Sequence, residues 1–396
     1  MFQSFKQLNF QTWLLLVFLY FNRLGFFVSV PYLVFYLSYL KFTPLTVGGI
    51  VASQALAYSL SGIPAGYLGD TYGKKNVMVY SLIFTSVICV ALSHMGTALY
   101  YYIFNILLGL SRSLFDAAMP AYLTDITAKE AQRFIFNLRF IIINIAGATG
   151  PLLGIYFANR HSLVIFEISG LVFFLSAVIM IWQLQNDHKR DELIKIKKIN
   201  FQDMLSILSR DKILLLLVLA TLIYWFTYMQ LEAPLAQVLE IRNPTQATWL
   251  YGLMWFINTL IIVFLQMPFS MTTKKVPLWI LAYAGSVLLI IAFVSLAIYT
   301  GTDAFIVSIV LVTFGEMLLS PISNIVIANI APAHLRSSYF GALALASIGT
   351  GISPIVGGLL LQYSNSEVLF LFTAFFIILS MLCYRACLPR DLRESN

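Results

Sequence analysis

The sequence predicts an all-α membrane protein of about twelve transmembrane helices in two six-helix bundles. Three observations predict it: an apolar composition with few charges, apolar runs of membrane-crossing length, and a pattern shared by the two halves of the chain. Of 396 residues, 60% are hydrophobic and only 10% are charged. A soluble domain carries roughly a quarter charged residues, so this chain lacks an ordinary water-facing surface. Its excess apolar area must face lipid.

A spanning helix needs roughly 20 mainly apolar residues. Polar punctuation such as Gly69-Asp70-Thr71-Tyr72-Gly73-Lys74-Lys75 separates runs of that length. The first six spans are expected near residues 11–37, 44–68, 76–95, 98–123, 134–157 and 162–184. The second six are expected near residues 213–240, 249–269, 277–299, 304–330, 338–362 and 368–387. Barrel strands do not fit, because they alternate apolar and polar residues over about ten positions and these runs do not.

One long polar stretch, Gln185 to Lys212, interrupts the series. It divides the chain into an N-terminal bundle (1–184), a linker (185–212) and a C-terminal bundle (213–396). The linker mixes acids with bases, and an amphipathic helix on the inner membrane surface is expected around Ile199 to Leu208.

The net charge of +7 reports topology and requires no nucleic-acid partner. With both termini in the cytoplasm, the inner segments collect Lys74, Lys75, Lys129, Arg133, Lys274, Lys275 and Arg336, besides the linker's own basic cluster. The opposite side keeps Lys41, Arg160 and Arg242. This asymmetry is the positive-inside bias, and it sets the orientation. The first span has no A-x-A-like cleavage site, so a removable signal peptide is not expected.

The halves share a pattern. Arg133 is followed by Gly147-Ala-Thr-Gly150-Pro151-Leu-Leu-Gly154, and Arg336 by Gly349-Thr-Gly351-Ile-Ser-Pro354. Each proline stands 18 residues after its arginine: 151 − 133 and 354 − 336. Lysine pairs, Lys74-Lys75 and Lys274-Lys275, close the loop after the second span of each half. Together these features indicate a duplicated six-span unit, of the parallel kind.

Several function classes are excluded. No G-x-x-x-x-G-K-[ST] phosphate loop occurs, so the chain does not itself drive ATP-powered transport. His94, His161, His188 and His334 fall at span ends or in loops, so no embedded metal or haem site is expected. There is no G-x-S-x-G elbow, and no enzymatic activity is expected. Cys89, Cys383 and Cys387 lie in apolar spans without His or acidic neighbours and are read as packing residues. No cofactor is expected.

The loop after the second span reads Gly66-Tyr-Leu68-Gly69-Asp70-Thr71-Tyr-Gly73-Lys74-Lys75. It resembles the major facilitator superfamily signature G-x-L-A-D-R-x-G-R-K, with Thr71 where the family usually has Arg. The glycines permit a tight turn between close helices, and Asp70 suits a helix N-terminus. The resemblance implies a cytoplasmic latch of Asp70, Lys74 and Asp125 that opens and closes during alternating access. Gly147, Gly150, Pro151 and Gly154 in the fifth span resemble the Gly-Pro motif of the drug:proton antiporter branch. Small residues let helices approach, and Pro kinks the span.

Charges inside the membrane are unfavourable and mark function. They are Arg23 in the first span, Arg112 and Asp116 in the fourth, Glu232 in the seventh and Glu316 in the tenth. The resemblance implies that these spans line a central cavity. Asp116, Glu232 and Glu316 are candidate proton carriers, because desolvation favours a neutral carboxyl whereas a nearby Arg opposes that. Glu316 has no cation in its own span and is the leading candidate. Arg112 and Asp116, four residues apart, share a helix face and can neutralise each other. Arg23 and Arg112 are read as cavity residues suited to an anionic group. Trp225 and Tyr228, with Tyr224 and Phe226, form an aromatic wall for lipophilic substrates.

The expectation is a proton-coupled exporter of small amphipathic molecules, working as a monomer in the bacterial cytoplasmic membrane. Its partners are a small-molecule substrate, protons and the lipid bilayer. The alternative is a dedicated carrier of one metabolite, such as a siderophore, peptide or amino acid.

Overall fold

The computed structural model describes residues 10–40, 42, 44–94, 97–158, 164–183, 200–242 and 245–388. These residues are helical almost throughout, and no strand occurs among them. The first six helices are α1 (Phe10–Tyr39), α2 (Pro44–Tyr72), α3 (Lys74–Leu92), α4 (Ala98–Ile126), α5 (Gln132–Ala158) and α6 (Val164–Gln183). Each coincides with one predicted span, with α3 and α6 slightly shorter than expected. A short helix α7 (Phe201–Arg210) follows. Its Met204 and Leu208 are buried while Leu205 and Ile207 are exposed, and Phe201 meets Tyr67 edge-on at 5.2 Å. Most of the linker lies outside the described residues.

The second set departs from unbroken spans in three places. The seventh span is α8 (Lys212–Tyr228) and α9 (Ala233–Arg242), separated by a 3₁₀ turn at Met229–Leu231. Pro234 lacks the N–H that would continue the ladder, so the break falls just before it. The tenth span is α12 (Thr302–Leu319) and α13 (Ile322–Ile330), divided at Ser320-Pro321 for the same reason. The eleventh span is α14 (Arg336–Ala342) and α15 (Ile348–Tyr363), joined by a 3₁₀ segment at Leu343–Ser347. No proline lies there, but Gly341 and Gly349 flank it, and two poor helix formers weaken the regular ladder. The remaining spans, α10 (Ala247–Thr272), α11 (Leu278–Ile298) and α16 (Ser366–Cys387), are continuous.

Nine described helical stretches are long and apolar enough to cross a membrane. Helices α2, α4 and α5 are not among them. They hold the glycines, hydroxyls and charges that the candidate site uses. Outward surfaces elsewhere are apolar: Phe264, Val307 and Ile355 are all exposed. In water that would drive aggregation, whereas lipid solvates such surfaces.

The chain forms two compact units. One comprises residues 1–135, 142–207 and 327–345, the other residues 136–141, 208–326 and 346–396. In the first, Val28, Leu37, Ile50, Ile88, Leu92, Tyr101 and Phe166 form a buried core. Gly73 turns α2 into α3 with φ 89°, a backbone conformation that side chains oppose. Lys75 is buried and donates from Nζ to the Ile181 carbonyl at 2.9 Å, satisfying an orphan acceptor in the last turn of α6.

In the second unit, the hydroxyls of Thr221, Ser323 and Tyr384 join α8, α13 and α16 in one buried cluster. Arg242 ties three helix ends together. Its guanidinium donates to the Leu296 and Tyr299 carbonyls at 2.8 and 3.3 Å, and to Ser366 Oγ at 2.7 Å.

Candidate functional site

Three polar clusters hold most of the sequence-predicted charged residues. The first lies inside the membrane part of the first unit. Asp116, on α4, accepts through Oδ1 from Nη2 of Arg23, which α1 supplies. Its Oδ2 stands 3.5 Å from Nε of Arg112, one turn earlier on α4. The expected Arg112–Asp116 pair therefore gains a third member, Arg23, and the acid is flanked by two cations. The Arg112 guanidinium lies 3.7 Å over the Phe26 ring and 4.8 Å from the Tyr58 ring. Both rings lie within cation–π range and help orient it.

The second cluster stands at the C-terminal ends of α2 and α4. Asp70 accepts from the backbone N–H of Ser337 and Ser338 at 2.9 and 2.8 Å, and from the Ser338 hydroxyl at 2.7 Å. Its carboxylate thus sits on the first turn of α14, where unsatisfied N–H groups attract a negative charge. Burial raises the Asp70 carboxyl above the ordinary carboxylate range, while Lys74 and the bonds from Ser338 and Ser337 pull it down. Lys74 Nζ pairs with Asp125 Oδ2 at 3.1 Å, and Arg336 donates to Asp125 Oδ1. So Asp70 finds backbone donors, and the base four residues on finds Asp125.

Arg336 was not among the expected latch residues. Its repeated offset from the Gly-Pro segment was the available signal, but that spacing names no partner. Close backbone approach makes this cluster possible. A Cβ on Gly66 would fall 2.4 Å from the Ser337 carbonyl, and one on Gly341 would fall 2.1 Å from the Gly62 carbonyl. Glycine at these positions lets α2 and α14 touch main chain to main chain.

The third cluster lies in the second unit. Glu316, on α12, is 5% exposed. It accepts at Oε2 from the Tyr228 hydroxyl at 2.8 Å and from Asn258 Nδ2 at 2.9 Å. Both donors are neutral. Asn258, from α10, also donates to Thr313 Oγ1 at 3.1 Å, which fixes its amide. Sequence reasoning did not single out Asn258, because one amide in an apolar run carries no spacing signal. Tyr228 ends α8 beside the 3₁₀ break, and its ring lies 5.7 Å from Trp225 and 6.3 Å from Trp255. Of the expected wall, Tyr224 and Tyr228 are buried and Trp225 is half-buried, while Phe226 turns away onto Phe372 and Phe376.

Glu232 stands apart at the break, exposed, and its carboxylate bonds to no other described side chain. In the Gly-Pro segment, a Cβ on Gly150 would fall 2.5 Å from Phe27, so α1 and α5 meet closely there. Gly147 has room for a methyl group, with Phe27 at 3.6 Å. What packs on Pro151 and Gly154 lies outside the described residues.

An all-helical chain with buried charges and broken spans is the architecture of a polytopic carrier. Residues 12–347 match the family described as Major Facilitator Superfamily, and the chain belongs to that family. It is therefore a secondary transporter, an all-α membrane protein of about twelve transmembrane helices in two six-helix bundles. The chain is 25% identical over 360 residues to the uncharacterized MFS-type transporter YqjV of Bacillus subtilis, covering 90% of this chain and 88% of the relative. It is 22% identical to the multidrug resistance protein MdtH of Shigella boydii, covering 87% and 84%. Its fold is similar to the fucose:proton symporter FucP of Escherichia coli, with TM-score 0.72 at 15% identity over 95% and 98% of the two chains.

Proposed function

We propose that this transporter is a proton-coupled exporter of small amphipathic molecules, of the multidrug efflux type, working by alternating access. It resides in a bacterial cytoplasmic membrane with both termini inside. The observation that carries the reading is Glu316, a buried acid in a membrane span whose donors are the neutral Tyr228 and Asn258. A carboxyl without a counter-cation can gain and lose a proton as its surroundings change between dry and wet. Asp116 is the contrasting case, because Arg23 and Arg112 both pair with it. The aromatic neighbours of Glu316 offer a surface for lipophilic substrates. The relative named as a multidrug resistance protein supports the choice of cargo.

In this reading Asp70, Lys74, Asp125 and Arg336 form the latch that closes the cytoplasmic side, and its bonds break when the carrier opens inward. The two six-span bundles, residues 1–184 and 213–396, are the parts that move. The test is movement of drugs by the purified chain in liposomes under an imposed pH step. The reading expects substrate movement that follows the proton gradient and stops when an ionophore collapses it. Movement indifferent to the gradient would remove proton coupling. A second reading, a dedicated carrier of one anionic or zwitterionic metabolite, draws on Arg23 and Arg112. Competition among drugs, siderophores, peptides and amino acids for the same transport separates the two.

A further inference from the structure

The membrane cluster of the first unit contains more positive charge than it neutralises. Arg23 and Arg112 face a single carboxylate, Asp116, and each of its oxygens is already engaged by one of them. Arg23 is 5% exposed, and its Nε is buried without a hydrogen-bond partner among the described residues. The Nε of Arg112 is likewise buried, and its approach to Asp116 Oδ2 at 3.5 Å is too long for a full hydrogen bond among the described residues. A guanidinium carries five N–H donors, so the pair leaves most of its donors unused. One uncompensated positive charge in a low-dielectric span is strongly unfavourable unless an anion or water meets it.

The geometry also says how an anion would arrive. The Phe26 and Tyr58 rings lie against the Arg112 guanidinium, whose N–H donors all point outward in its plane, so its edge is the surface that meets an anion. That edge matches a carboxylate in bidentate fashion, and the Arg112 side chain keeps 28% of its surface exposed. The Phe26 and Tyr58 rings beside it suit an apolar body attached to the anionic group.

We propose that Arg112, positioned by Phe26, Tyr58 and Asp116 and supported by Arg23, is an anion-recognition site, and that the transported substrates are amphipathic carboxylates. The proposal rests on the carrier reading above and narrows its substrate class. Asp116 is a positioning residue in this arrangement, because it orients both guanidiniums while Arg112 touches the ligand.

The experiment titrates the full chain, in nanodiscs of zwitterionic lipid, with three probes sharing one aromatic body: 2-naphthoate, 2-naphthamide and 2-naphthylmethylammonium. Binding is read by calorimetry. Charge-assisted hydrogen bonds favour naphthoate over naphthamide by about tenfold or more in affinity. Arg112→Gln abolishes that preference, and Arg112→Lys restores only part of it because a point charge lacks the fork. Arg242→Ala, which alters only a structural tie between helix ends, leaves the preference intact. Monodisperse Arg112→Gln protein that still prefers naphthoate overturns the proposal, as does a wild-type chain that prefers the amide or the ammonium. Gradient-driven movement of naphthamide without any naphthoate preference sinks this inference and leaves the carrier reading standing. A naphthoate preference without gradient-driven movement does the reverse.

Discussion

Single residues decide the chemistry, and their environments differ although their types repeat. Asp116 and Glu316 are both carboxylates in apolar helices, yet one meets two guanidiniums and the other two neutral donors. Asp70 is a third kind, seated on backbone N–H groups of α14. Asp70→Asn weakens those bonds by removing the charge, and a charge-assisted bond is worth roughly 1.5–3 kcal/mol. We expect transport to fall about tenfold or more with insertion unchanged. Asp125→Asn gives a similar defect, and the double variant loses less than the two defects combined, because both act on one network. Transport assays at matched expression check this; full activity of Asp70→Asn removes the latch. The sequence identified Asp116 and Glu316 by rarity, since a charge in an apolar run stands out, and Asp70 and Asp125 by the loop signature. It set Arg112 beside Asp116 and Lys74 beside Asp125, but it did not single out Arg23, Asn258 or Arg336 as partners. Asn258 and Arg336 became visible only when folding placed them within hydrogen-bond reach.

At the scale of elements, span positions were legible because hydropathy requires only length and composition. The breaks were less so. Pro234 and Pro321 mark two of them, but proline also sits inside the continuous helices α2, α4 and α10, at Pro64, Pro120 and Pro268. Whether a proline kinks or interrupts a helix depends on what re-satisfies the freed carbonyls, and neighbouring helices supply that. The Gly-rich loop signature was readable, and its physical meaning is the contact of Gly66 and Gly69 with α14 at Ser337. Gly341→Ala places a methyl against the Gly62 carbonyl, and overpacking of this kind costs about 1–3 kcal/mol. The variant should fold yet hold the contact open, so a cysteine placed near Ser337 reacts faster with a cytoplasmic thiol reagent. Unchanged labelling would show that the backbone yields without disturbing the contact. Arg242→Ala tests a purely structural element. It leaves the Leu296 and Tyr299 carbonyls without their donor, and we expect a loss of roughly 1–3 kcal/mol in thermal denaturation with substrate affinity retained. A variant of unchanged stability would mean that water replaces the guanidinium there.

For the whole molecule, composition, the positive-inside bias and the repeated half gave the class of protein before any coordinate was needed. They said little about cargo, because substrate choice depends on which side chains converge from distant spans. Tyr228, Asn258 and Glu316 come from three separate spans, and no sequence spacing links them. The account makes Glu316 the site where proton and substrate movements meet. Gln at position 316 keeps the shape and most of the hydrogen bonding while remaining neutral at every pH. The most direct measurement is transport by Glu316→Gln in liposomes, with and without an imposed proton gradient, beside Asp116→Asn under the same conditions. The account predicts that Glu316→Gln loses gradient-driven transport yet keeps downhill exchange, and that Asp116→Asn is the milder defect. Gradient-driven transport retained by Glu316→Gln and lost by Asp116→Asn would contradict it and move the proton to Asp116. Retention by both would pass the role to Glu232 or end the claim of proton coupling.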